Sequence, residues 1–132
     1  MVAIPKEILD IMNDKGTTKV LVTANAAGQP HAIVCGSFGT IGDDVITVGE
    51  ILMKRSAEYM AENKKVAILV CAGPKAFEMQ ATVLGREEKG SDVDNLNKAL
   101  AGANMHAKAL WKFKVTAVYD EGVGPNAGKK IA

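Results

Sequence analysis

The sequence predicts a mainly-β fold with flanking helices: a small antiparallel barrel, closed or half closed, of six strands with two or three short helices on its outside. Three observations lead there. Apolar and polar residues alternate with period two over several stretches. Turn residues join successive stretches through links too short for a crossover helix, so neighbouring strands run antiparallel. The chain has 132 residues, which is one domain spanning 1–132 with one core. The strict strand–helix alternation of a Rossmann arrangement is missing, because the second and third strands are joined by a turn.

Each element has its own signal. Residues 5–14 put Ile8, Leu9, Ile11 and Met12 at helical spacing, with Pro5 suited to a first turn and Gly16 as a stop. Residues 17–25 are rich in β-branched side chains and run into a turn with Gly28, Gln29 and Pro30. A second strand is expected over 31–41, turned by Gly42, Asp43 and Asp44 into a third over 45–49. A helix follows over 50–63, then a strand over 64–72 so apolar that it is expected to be covered on both faces. Residues 77–85 alternate Phe77, Met79, Ala81 and Val83 against Glu78, Gln80 and Thr82. A second amphipathic helix spans 91–102, with Ser91 as N-cap and Val93, Leu96 and Leu100 on one face. The last strand, 110–119, sets Trp111, Phe113, Val115, Ala117 and Tyr119 against Lys112, Lys114 and Thr116, and the Gly-rich tail beyond it is irregular.

Composition narrows the function classes. Hydrophobic residues are 48% of the chain and charged ones 23%, a balance that buries a core and argues against disorder. Sixteen basic against fifteen acidic side chains, with 5% aromatics, lack the basic stripe and stacking platforms of a nucleic-acid binder. The longest apolar run, residues 66–72, is too short to span a bilayer, and the N-terminal residues lack the pattern of a secretory signal. A cytoplasmic protein is expected. Cys35 and Cys71 form no CxxC and are read as reduced thiols. The two histidines, His31 and His106, form no zinc motif, and no Ser–His–Asp set stands out, so neither a metal site nor hydrolysis is expected. Gly122, Gly124 and Ala127 imitate a dinucleotide fingerprint, but no helix or ribose-binding carboxylate follows them.

The most informative segment joins a strand end to a helix start: Thr47, Val48 and Gly49, then Lys54, Arg55 and Ser56. Two cations at a helix N-terminus oppose the macrodipole. A bound phosphate removes that misfit, because the free N–H groups there attract anions and Lys54, Arg55 and Ser56 add charge-assisted hydrogen bonds. The alternative is a solvated Lys-Arg pair beside an ordinary serine.

In order along the chain, Gly28-Gln29-Pro30-His31, Ser37-Phe38-Gly39-Thr40, the strand 45–49, Lys54-Arg55-Ser56, the strand 77–85 with Gln80 and Thr82, and the closing Val118-Tyr119 with its Gly-Pro-Asn-Ala-Gly-Lys-Lys tail resemble the pyridoxamine 5′-phosphate oxidase-like family. These are FMN-binding, Greek-key split barrels, and the resemblance covers almost the whole chain. It implies a homodimer with FMN in clefts at the subunit interface, the phosphate on Lys54, Arg55 and Ser56. The isoalloxazine ring then rests along Val34, Cys35, Gly36 and Ser37 and along Thr47, Val48 and Gly49. Gln80 reaches the ring or the ribityl chain, and His106 or Trp111 covers the ring from the partner subunit. The implied activity is that of an oxidoreductase passing hydride or electrons between a reduced donor and a small acceptor, with a small molecule or a protein as redox partner. The chain is shorter than the true pyridoxamine phosphate oxidases and has no arginine and histidine beside Lys129 and Lys130, so oxidation of a vitamin B6 phosphate is not implied. A non-catalytic carrier of FMN, haem or a deazaflavin remains the alternative.

Overall fold

The computed structural model describes residues 2–132. Its strands are β1 (Thr18–Ala24), β2 (Pro30–Val34), β3 (Phe38–Ile41), β4 (Val45–Gly49), β5 (Lys65–Ala72), β6 (Lys75–Glu87) and β7 (Leu110–Asp120), and its helices α1 (Lys6–Asn13), α2 (Arg55–Glu62) and α3 (Ser91–Leu100). All seven strands lie in one antiparallel sheet of order β2-β1-β5-β6-β7-β4-β3. The sheet is open, with β2 and β3 at its two edges, as in a split barrel. Two register shifts interrupt the β6–β7 ladder, the first leaving Thr116 of β7 without a partner and the second Leu84 of β6.

The core lies on one face of the sheet. Leu21, Ile46, Val48, Ile68, Val70, Met79 and Phe113 are fully buried there, each from an alternating strand position. Helix α1 adds Ile8 and Met12 to the same core and packs on both β3 and β5, strands far apart in the sheet order. It thereby bridges the curled sheet. Helix α2 packs on β1 and β2.

Four expectations are corrected. The single strand over 31–41 is two strands, because Cys35, Gly36 and Ser37 carry the chain from one sheet edge to the other; β2 pairs with β1, and β3 with β4. This makes seven strands, not six. The helix expected from residue 50 starts at Arg55, because the backbone of Glu50 is tied to Ala109 and Lys108 and cannot coil. Gly90, with φ 135°, is the N-cap of α3 in place of Ser91, which is already helical and makes no capping bond. Within one chain strand β5 is covered on one face only: Val66, Ile68 and Val70 are buried, whereas Ala67, Leu69 and Cys71 are half-buried. The tail does run irregularly, returning along β7 through a bridge between Tyr119 and Lys130 and through backbone hydrogen bonds at Val118 and Asp120.

Candidate functional site

The break between β2 and β3 makes one wall of a cleft of about 450 Å³, within the usual size of a small-molecule site. Residues 33–37 form that wall, Gly49 and residues 51–54 the floor, and Leu100 and Met105 the far side. Val34 and Leu52 are 73% and 82% exposed, so the cleft is open and apolar at its mouth.

Backbone donors line it. Cys35 gives its N–H to the Lys19 carbonyl, but the N–H groups of Gly36, Ser37, Ile51, Leu52 and Met53 find no acceptor among the described residues. A ligand edge rich in acceptors matches such a row. Gly36 faces open space, so a ligand can approach its backbone closely. Gly49 answers a different need: a Cβ there would stand 2.6 Å from Leu96 Cδ2 of α3. Its N–H is also spent, donated to Ser37 Oγ at 3.1 Å, while the Ser37 hydroxyl donates back to the Gly49 carbonyl at 3.2 Å.

At the end of the floor, Arg55 opens helix α2 and Lys54 precedes it, both exposed. The ion pairs among the described residues involve Lys6, Lys75, Arg86 and Lys112, never Lys54 or Arg55. Ser56 is 0% exposed, and its hydroxyl has no partner among the described residues; of those residues, Thr23 is the other buried side chain of which this is true. A buried hydroxyl left unpaired is unusual. Here it sits in the first turn of a helix whose N–H groups are themselves unpaired by geometry, beside two cations without counterions. The residues fit a phosphate.

Of the residues expected at the site, Val34, Cys35, Gly36, Ser37, Gly49 and Lys54 line this cleft; Arg55 and Ser56 do not line it, but follow Lys54 directly in the chain. Thr47 and Val48 lie in β4 between β3 and β7, 8% and 0% exposed, so their backbone groups belong to the sheet ladders. Gln80 lines a separate hollow of about 430 Å³ on the outer face of the sheet, with Val22, Ala67 and Thr82. His106 is exposed, next to the cleft residue Met105. Trp111 is 5% exposed, with its indole N–H donated to Glu50 Oε1 at 2.9 Å. Burial pushes the Cys35 thiol up to about 11, so it stays protonated at neutral pH. No group of three or more His, Cys, Asp and Glu among the described residues can hold a metal ion, and no helix is long and apolar enough to cross a membrane.

Sequence reasoning missed Glu50 and Arg86. The Glu50 carboxylate is 10% exposed and takes two hydrogen bonds from the Arg86 guanidinium, Nε to Oε1 at 2.9 Å and Nη2 to Oε2 at 3.0 Å. The Arg86 fork, with help from the Trp111 indole, holds the Glu50 carboxyl below its ordinary value. A signal existed: Arg86 is one of only two arginines in the chain, but nothing in the spacing pairs it with residue 50.

No known protein-family pattern matches the chain, and no curated protein sequence does. Solved structures do match. HupZ from Group A Streptococcus superposes with a TM-score of 0.80 at 20% identity, over 95% of this chain and 99% of its own. An FMN-binding protein from Syntrophomonas wolfei superposes with a TM-score of 0.79 at 17% identity, over 90% and 89%. HutZ, a haem storage protein from Vibrio cholerae, superposes with a TM-score of 0.63 at 15% identity, over 92% and 97%. The chain thus shares the fold of these three structures, an FMN-binding protein and a haem storage protein among them.

Proposed function

We propose that this chain is a flavoprotein that binds FMN in the cleft and works as an oxidoreductase, passing hydride or electrons between a reduced donor and a small acceptor. One observation carries the reading: the buried, unpartnered Ser56 hydroxyl in the first turn of α2, beside Lys54 and Arg55, which pair with no carboxylate. These three residues hold the phosphate, each charged hydrogen bond contributing about 1.5–3 kcal/mol. The N–H groups of Gly36, Ser37 and residues 51–53 meet the acceptor edge of the ring. Ile33, Met53, Leu100 and Met105 keep water from its faces. FMN, when bound, supplies the hydride and electron chemistry; the protein contributes orientation, fixed dipoles and exclusion of water. Cys35, protonated at neutral pH, acts as a small apolar wall rather than as a redox thiol.

The unit is a homodimer with the cofactor at the interface. Strands β2, β1 and β5 turn Ala32, Val34, Val20, Val22, Ala67 and Leu69 to the face away from the core, where none is fully buried. An apolar sheet face of this extent needs a cover, and a second copy supplies the same face in return. Gln80 edges that face, and from the second copy it reaches the ring or the ribityl chain. The donor or acceptor that docks at the open mouth is a small molecule or a redox protein. A haem carrier is the second reading, favoured by Met105 in the cleft wall with the exposed His106 beside it.

The test is the visible spectrum of the purified protein, followed by heat release and identification of the chromophore. About one FMN per chain is expected, because each chain carries one such cleft. A haem spectrum selects the second reading. A colourless protein that takes up no added FMN refutes the flavin reading.

A further inference from the structure

Residue 50 has no free polar group. Its carboxylate takes the Arg86 fork and the Trp111 indole, its N–H donates to the Ala109 carbonyl at 2.9 Å, and its carbonyl accepts from Lys108 N–H at 2.9 Å. Next to it Gly49 is locked to Ser37, and beyond it residues 51–53, whose N–H groups find no acceptor among the described residues, line the cleft. The tie to Lys108 also reaches the opposite wall. Asn97 of α3 clamps Ala107 from both sides, Nδ2 to its carbonyl at 3.2 Å and Oδ1 from its N–H at 2.7 Å, and Met105 is bonded to Leu100. Lys112, bound to Asp92 at 2.8 Å and Glu87 at 2.9 Å, fastens the start of the same helix. The floor and the far wall of the cleft therefore meet at the backbone of one residue, whose buried side chain is anchored in turn by Arg86 and Trp111.

We infer that Glu50, gripped by Arg86 and Trp111, is the positioning residue that fixes the donor row of residues 51–53 against the Leu100–Met105 wall, and so sets the affinity of the cleft for the flavin ring. It touches no ligand and is not catalytic. This rests on the FMN reading, and it assigns Glu50 to the ring end of the site, apart from the phosphate end at Lys54, Arg55 and Ser56. A loose floor costs binding because the donors must then be ordered at the moment of association. Glutamine at position 50 keeps the shape but loses the charge-assisted bonds.

The experiment titrates the full chain and its Glu50→Gln variant with FMN and with riboflavin, which has no phosphate. Glu50→Gln is expected to weaken both flavins by the same factor, about tenfold for the loss of one charged hydrogen bond's worth of ordering. Arg86→Lys is expected to weaken them less than Arg86→Gln, because lysine keeps the charge but not the fork. In the flavin-free protein, the amides of Glu50 and Lys108 are expected to exchange hydrogen faster in Glu50→Gln while those of β1 and β5 are unchanged. Equal flavin affinity in wild type and Glu50→Gln overturns the inference, as does a loss confined to FMN or an acceleration of exchange spread over the whole sheet. A wild type that binds neither flavin overturns the flavin reading instead, and the exchange experiment then still decides whether Glu50 fixes the floor.

Discussion

Replacing Ser56 with alanine is expected to strengthen the empty protein and weaken the loaded one. The serine side chain is 0% exposed and its hydroxyl has no hydrogen-bond partner. An unsatisfied buried hydroxyl costs about 1–3 kcal/mol, and alanine adds up to about 0.5 kcal/mol of helix propensity in α2. Removing one oxygen leaves almost no cavity, so about 1 kcal/mol survives as a gain, or a rise in Tm of about 3–6 °C for a chain of this size. With FMN the sign reverses. The hydroxyl then donates to a phosphate oxygen, and losing a charged hydrogen bond of about 1.5–3 kcal/mol raises Kd by about 10- to 150-fold. Thermal unfolding of flavin-stripped protein, followed by circular dichroism, reads the first effect; quenching of flavin fluorescence reads the second. A lower Tm in the empty Ser56→Ala protein, or an unchanged Kd for FMN, refutes the reasoning, because either result means the hydroxyl does not wait for a phosphate.

The double variant Lys54→Ala/Arg55→Ala is expected to weaken FMN at least about tenfold and to leave riboflavin unaffected, since only the phosphate meets these cations; paired titrations check it, and an equal loss for both flavins argues against the assignment. Val34→Glu puts a charge on the outer sheet face at a position 73% exposed in one chain. Burying it unpaired between two copies is unfavourable, so monomers and reduced flavin occupancy are expected by sedimentation and absorbance, and an intact dimer would place the interface elsewhere. Glu50 also predicts an acid limb of stability. Its folded pKa lies below its ordinary value of 4.5, chiefly because of the Arg86 hydrogen bond, so its contribution is full above that value and is lost as pH falls through the folded one. Urea midpoints measured from about pH 7 down to about pH 3 are expected to fall less steeply for Glu50→Gln than for wild type, and parallel curves would show that the pair contributes nothing.

Strand identity was legible wherever one face of a strand meets the core. In β6 and β7 the alternation of Phe77, Met79 and Ala81 and of Trp111, Phe113 and Val115 appears directly as buried positions. Helix α1 was legible for the same reason at period 3.6. The break at Cys35, Gly36 and Ser37 was not, because residues 31–34 and 38–41 are each strand-like and only their different partners, β1 and β4, separate them. The start of α2 was displaced for a similar reason: residues 50–54 have helical composition, and distant Ala109, Arg86 and Trp111 hold Glu50 out of the helix.

The candidate site divides in the same way. Lys54, Arg55 and Ser56 are contiguous, and their charge and hydroxyl make sense against a local helix terminus, so short-range chemistry was enough to single them out. Thr47, Val48 and Trp111 look like site residues by position along the chain, yet the sheet and Glu50 engage them. Gln80 and the cleft stand apart within one chain, and a shared site would need a second copy. By itself, then, the sequence determined most of the elements and singled out Lys54, Arg55 and Ser56 as the candidate anion site, since both follow from side-chain period and from neighbours a few residues away. The tertiary structure alone decided which backbone N–H groups stay unpaired, which apolar face stays uncovered, and that Glu50 meets Arg86 across 36 positions. Those depend on contacts between segments far apart in the chain, which no local pattern encodes.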